Sequence, residues 1–172
     1  MKISALEEYG LRCLLRLGRC PEGESLTISE IAEGEGLSVA NVRKLMMLLR
    51  EAGFVQSVRG RAGGYALNGR PEDITIGQVV EALGGRMFDD NFCGKHTGEL
   101  MICINSTACS VKSLWGVLDG LISGVLHRIR LSDLVGEQGP VVVNLRGHIE
   151  ATVGQLLGPA TPGQGKPLPV IQ

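Results

Sequence analysis

Apolar residues return every three or four positions from the start of the chain, and glycine and proline interrupt them at intervals. Leu6, Gly10, Cys13, Leu14 and Leu17 fall on one helical face. Ser4-Ala5-Leu6-Glu7 has the form of a capping box, so a helix is expected from about Ala5. It should end by Cys20, because Pro21-Glu22-Gly23 is turn chemistry. Thr27-Ile28-Ser29-Glu30 is a second capping box and opens a short helix that stops at Gly34 or Gly36. Ser38 caps a third helix, in which Val42, Leu45, Met46 and Leu49 stand at i, i+3, i+4 and i+7, with Gly53 where a C′ glycine belongs. Two short helices around a glycine-containing turn form the helix-turn-helix pattern.

The period then changes. Phe54–Val58 is aromatic and β-branched and predicts a strand. Residues 59–64 form a glycine-rich turn, and Tyr65-Ala66-Leu67 predicts the returning strand, so a β wing follows the helix-turn-helix. Thr75-Ile76-Gly77-Gln78 is a third capping signal, for a helix through Leu83 that ends at Gly84-Gly85. Residues 86–109 show no sustained period. From Ser110, Val111, Leu114, Leu118, Leu121 and Val125 alternate steps of three and four, with Trp115, Ile122 and Ile129 as a second stripe seven apart. A helix apolar on two sides is buried on two sides. The second side is expected to meet another subunit, making 110–130 the helix of a homodimer. Val141–Leu157 can hold one more helix, and the Pro- and Gly-rich tail after it is expected to be disordered. The expected fold is thus mainly α with a small β wing. A winged helix-turn-helix domain covers 1–85, a cysteine-rich loop 86–109, a dimerisation helix 110–135, and a partly disordered extension 136–172.

Composition sharpens this picture at three points. Aromatics are 3% of the chain, so the core must be aliphatic. The formal net charge is −1, so any nucleic-acid footprint must be local. Such a locality exists: between Asn41 and Arg70, the cations Arg43, Lys44, Arg50, Arg59, Arg61 and Arg70 are opposed only by Glu51. Lys and Arg neutralise phosphates, and the second helix of a helix-turn-helix turns its N-terminal residues toward base edges. Ser38, Ala40, Asn41, Arg43 and Lys44 are therefore the candidate readers of a double-stranded DNA operator, with Arg59 and Arg61 on the wing reaching a minor groove. Each cation alone reads equally well as solvated surface; their coincidence with helix and wing favours DNA.

The five cysteines are an odd number. Met1–Cys20 carries Glu7, Glu8, Arg12, Arg16 and Arg19, which break any secretory h-region, and no apolar run is long enough to cross a bilayer. A cytoplasmic location is expected, where clustered cysteines read as metal ligands or redox thiols before disulfides. Cys93, Cys103 and Cys109 are separated by nine and five residues, a spacing unlike the paired Cys-x-x-Cys of a zinc ribbon. Thiolates select zinc or iron–sulfur clusters. Cys109 precedes the long helix, whose unpaired N–H groups favour a thiolate. Cys13 reads as core and Cys20 as a free thiol; His96 lies among the cysteines, and His127 and His148 have no evident partners.

Residues 26–67, with Gly53-Phe54-Val55-Gln56-Ser57-Val58-Arg59-Gly60 and Gly63-Gly64-Tyr65-Ala66-Leu67, resemble the bacterial winged-helix regulators of the IscR/NsrR type. So do Met1-Lys2-Ile3-Ser4, Tyr9-Gly10-Leu11-Arg12, Cys103-x5-Cys109 with Leu114-Trp115, and Leu131-Ser132-Asp133-Leu134-Val135. The resemblance covers residues 1 to about 135. It implies a homodimeric repressor whose Cys93, Cys103 and Cys109 hold an iron–sulfur cluster, 4Fe–4S in preference to 2Fe–2S, and which responds to nitric oxide, redox state or iron–sulfur status. IscR-like members have a histidine three residues after the last cysteine, where this chain has Lys112. NsrR-like members use a carboxylate of the first helix from the other subunit, and Glu8 stands at the matching position, with His96 in reserve. Two alternatives stay open: a zinc- or thiol-based regulator, and an iron–sulfur electron carrier. No nucleotide loop, acid–base pair or nucleophile constellation suggests an enzyme.

Overall fold

The structure is a computed structural model that describes residues 3–60, 63–86, 88, 92–97, 109–136 and 138–157. Arg61 and Cys103, and the tail expected to be disordered, lie outside the described residues. Helix α1 (Ala5–Gly18) is capped by Ser4, whose side chain accepts the Glu7 N–H while the Glu7 carboxylate accepts the Ser4 N–H. The same reciprocal box opens α2 (Ile28–Glu35) at Thr27 and α4 (Ile76–Gly84) at Thr75. Helix α3 (Val39–Glu51) starts at Ser38. Each cap satisfies N–H groups that the first helical turn leaves without partners. Between α2 and α3 the chain reverses at Gly36, whose φ of 64° is left-handed and favours glycine.

The core is aliphatic. Cys13, Leu14 and Leu17 of α1 meet Val42, Leu45, Met46 and Leu49 of α3, with Ile31, Val55, Ile76, Val79 and Leu83 around them. Helix α1 packs on α2, α3 and α4 and on the wing, so it is the central element. The wing is an antiparallel pair, β1 (Val55–Val58) and β2 (Gly64–Leu67), in register Val55↔Leu67 to Val58↔Gly64. Its second edge is also occupied: Leu26 and Tyr65 exchange N–H···O bonds of 2.9 and 2.7 Å. A Cβ at Gly64 would collide with the Leu26 carbonyl, so this approach requires glycine.

The segment after the wing departs from the sequence reading in several places. Pro71–Asp73 forms a 3-10 turn, and a helical turn α5 (Phe92–Lys95) stands within the cysteine segment. The long helix α6 (Ser110–Leu126) ends before Ile129. The chain instead returns to the winged domain: Ile76 N–H donates to Ile129 O and Leu131 N–H to Ile74 O, both at 2.8 Å, and Ile129 and Leu131 enter the core. Ile129 thus belongs to the core and not to the second stripe of α6, because its backbone is used in an extended bridge. Helices α7 (Ser132–Val135) and α8 (Gln138–Leu157) follow, and α8 packs on α6 and α7.

A charged clamp joins α1 to α2. Arg12 Nε and Arg16 Nε donate to the two Glu35 oxygens at 3.0 and 2.7 Å, and their terminal nitrogens donate to the carbonyls of Glu35 and Gly34. The clamp satisfies the carbonyls at the end of α2 as well as its last side chain. Burial opposes ionisation of Glu35, but the bonds from Arg16 and Arg12 outweigh it and hold its pKa below the usual 4.5. Replacing Glu35 with Gln should cost about 1–2 kcal/mol at neutral pH, allowing for the exposure of the arginines. A depressed carboxylate stabilises fully above its unfolded pKa and ceases to as pH falls through the folded value. Thermal melts should therefore separate wild type from Glu35→Gln at pH 7, and the two curves should converge as the pH is taken below 4.5.

Candidate functional site

Helix α3 buries one stripe and presents the other. Val42, Leu45, Met46 and Leu49 are buried, whereas Ser38, Val39, Ala40, Asn41, Arg43, Lys44 and Met47 are exposed. Ser38 is the cap, its hydroxyl 3.2 Å from the Asn41 N–H. The five predicted readers therefore lie along the first turns of one exposed helical face. Arg59 is exposed at the end of β1. Among the described residues, none of Arg43, Lys44 and Arg59 is held in a salt bridge, whereas Arg12, Arg16, Arg70 and Arg86 are.

The cysteine segment lies between this domain and α6. Cys93 sits in α5 and Cys109 caps α6, its sulfur 3.3 Å from the Lys112 N–H. The sulfur thus stands at a helix N-terminus, where backbone N–H groups are free to meet it. Cys93 and Cys109 are both free and partly exposed. His96 is engaged locally: its Nδ1 lies 2.8 Å from Phe92 O and its ring stacks on Phe92 at 4.3 Å. Glu8 is exposed on α1 and lines a cleft of about 590 Å³ between α1, α4 and α6, whose walls include Leu11, Val80 and Ile122. Among the described residues, no three His, Cys, Asp or Glu side chains gather as a metal site, so one chain does not bring Cys93, Cys109 and Glu8 together. The donor chemistry of the two described cysteines fits an iron–sulfur group, for which thiolates are the usual ligands.

One polar group here gave no motif in the sequence. Asp119 is 4% exposed and is the one buried residue of α6. Its carboxylate accepts from Arg86 Nη2 at 2.5 Å and from the Phe88 N–H at 3.2 Å. The only sequence signal is that Asp119 is the single acid of α6. Farther along the N-terminal half of α6, Val111, Leu114 and Val117 are 58%, 53% and 71% exposed. Among the described residues, no helix is long and apolar enough to cross a membrane.

Comparison with known proteins bears on the whole of this arrangement. The profile of the Rrf2 family, described as an iron-dependent transcriptional regulator, matches residues 3–137. The HTH-type transcriptional regulator IscR of Aliivibrio salmonicida is 30% identical over 153 residues, covering 89% of this chain and 88% of that protein. Protein rrf2 of Nitratidesulfovibrio vulgaris is 33% identical over 135 residues, 78% of this chain and 87% of its own. Among solved structures, T. potens IscR superposes with a TM-score of 0.63 at 30% identity, over 78% of this chain and 86% of that one. CymR, the global cysteine regulator of B. subtilis, does so with a TM-score of 0.59 at 28% identity, over 78% and 96%.

The cysteines should separate by reactivity. Burial, reinforced by Glu35, raises the Cys13 thiol to about 11 against the partial opposition of Arg12 and Arg16. In native metal-free protein at pH 8, iodoacetamide followed by peptide mass spectrometry should modify Cys93 and Cys109 while leaving Cys13 intact. Cys13 should react only once denaturant unfolds the chain.

Proposed function

The chain belongs to the Rrf2 family of transcriptional regulators, and from that premise we propose that it is a homodimeric repressor whose grip on its operator depends on an iron–sulfur cluster. The observation that carries this reading is the placement of its two described thiols. Cys93 and Cys109 flank the passage from the winged domain to α6, with the Cys109 sulfur turned to a helix N-terminus. Cys93, Cys103 and Cys109 would hold the cluster, 4Fe–4S in preference to 2Fe–2S, with Glu8 of the other subunit as fourth ligand. Bound there, the cluster would supply sensitivity to nitric oxide, oxidants or iron shortage.

The chain's own residues do the rest. The exposed apolar positions Val111, Leu114 and Val117 of α6 supply a surface for the second subunit. Ser38, Ala40, Asn41, Arg43 and Lys44 enter the major groove, and Arg59 and Arg61 follow the adjacent backbone and minor groove. In a dimer the two α3 helices must stand about 34 Å apart to meet successive major grooves. Helix α6 packs on α4 of the winged domain, so the way two α6 helices pair sets that spacing. Glu8, a hard oxygen donor on α1, ties the reading head of one subunit to the cysteine segment of the other.

Two measurements test this reading. Protein purified without air should be brown, with broad visible absorption and iron and sulfide near stoichiometric. Glu8→Ala should lose that absorption faster under nitric oxide or a chelator, with Cys109→Ser colourless from the outset. A colourless wild type carrying stoichiometric zinc would replace the cluster with a zinc site. Separately, Arg59→Ala should weaken operator binding and flatten the plot of log affinity against log salt by about one unit. An unchanged slope in fluorescence anisotropy titrations removes Arg59 from the footprint.

A further inference from the structure

We propose that Asp119 is a positioning residue through which the α6 helix holds the Cys93 segment in place; its role in sensing rests on the cluster reading above. A charged side chain buried in an apolar helix is costly unless it is paired and hydrogen-bonded. Asp119 meets both conditions, and both of its partners stand at the entrance to the cysteine segment. Arg86 Nη2 donates at 2.5 Å, and the Phe88 N–H donates at 3.2 Å to the other oxygen.

From Phe88 the contact continues toward the cysteine. The Phe88 ring lies 4.9 Å from Phe92, and Phe92 stacks on His96 at 4.3 Å. Phe92 and His96 bracket Cys93, whose carbonyl accepts the His96 N–H at 3.2 Å. Asp119, Phe88, Phe92 and α5 thus form a continuous chain from the middle of α6 to the first thiol. The second thiol, Cys109, is the cap of that same helix. Both sulfurs are referred to α6, one directly and one through Asp119. Movement of α6 against the winged domain therefore carries the two thiols together, and loss of Asp119 frees Cys93 from Cys109.

The test compares full-length metal-free wild type, Asp119→Asn and Asp119→Ala by hydrogen exchange and mass spectrometry. Asn keeps an oxygen for the Phe88 N–H but loses the charge facing Arg86; Ala loses both. Amides of 88–96 should exchange at least about tenfold faster in Asp119→Ala, with Asp119→Asn between the two, because the bonds to a charged acceptor that oppose local opening are gone. Exchange in α3 and the wing should be unchanged. In anaerobically reconstituted protein, iron release to a chelator should follow the same order. Unchanged exchange at 92–96, or acceleration spread evenly over α3 and the wing, overturns the proposal in favour of a general stabilising role. Local acceleration in a protein whose wild type takes up no iron leaves the positioning role standing and removes the cluster reading instead.

Discussion

A helix in a small domain buries one stripe, and that constraint governs the rest of this molecule. On α3 the stripe is Val42, Leu45, Met46 and Leu49, seated against Cys13, Leu14 and Leu17 of α1. Once those four residues are inside, the positions between them have nowhere to go but out. Asn41, Arg43 and Lys44 face solvent because their neighbours are in the core. The core and the exposed face of α3 are two sides of one packing decision. Burying four aliphatic side chains contributes roughly 1.5–3 kcal/mol each, before chain entropy is set against it. That gain fixes the backbone from which Arg43 and Lys44 project.

The polar groups divide by the same logic. Arg12 and Arg16 are occupied by Glu35, and Arg86 by Asp119. These pairs sit at joints between elements, where they finish a helix end or anchor a segment. Arg43, Lys44 and Arg59 are exposed and in no salt bridge among the described residues. Charge that holds the fold and charge left on the surface are thus separated within a chain whose net charge is only −1.

Much of the winged domain was legible in the sequence because its signals are local. Capping boxes at Ser4, Thr27 and Thr75 announce helix starts within four residues, and stripes announce the buried faces. The misreading of Ile129 has a physical cause. It continues the seven-residue spacing of Trp115 and Ile122, but its carbonyl accepts the N–H of Ile76, far away in sequence. The Asp119–Arg86 and Arg16–Glu35 pairs span 33 and 19 residues and leave no periodic trace. The candidate ligands were legible as residue types. Their spatial relation was not, since Glu8, Cys93 and Cys109 stand on different elements, α1, α5 and the start of α6.

Strand β2 is hydrogen-bonded on both edges, to β1 and to Leu26. Leu26 directly precedes Thr27, the cap of α2, so the arm bearing Arg59 is fixed to the first helix of the helix-turn-helix. The arm and the helix-turn-helix share that anchor, so a shift of one is felt by the other. In the proposed dimer, a signal would act on the distance between two such units and not on the shape of either. Operators that differ in the distance between half-sites should then be sorted more sharply than those that differ in the flanking contour of a single one.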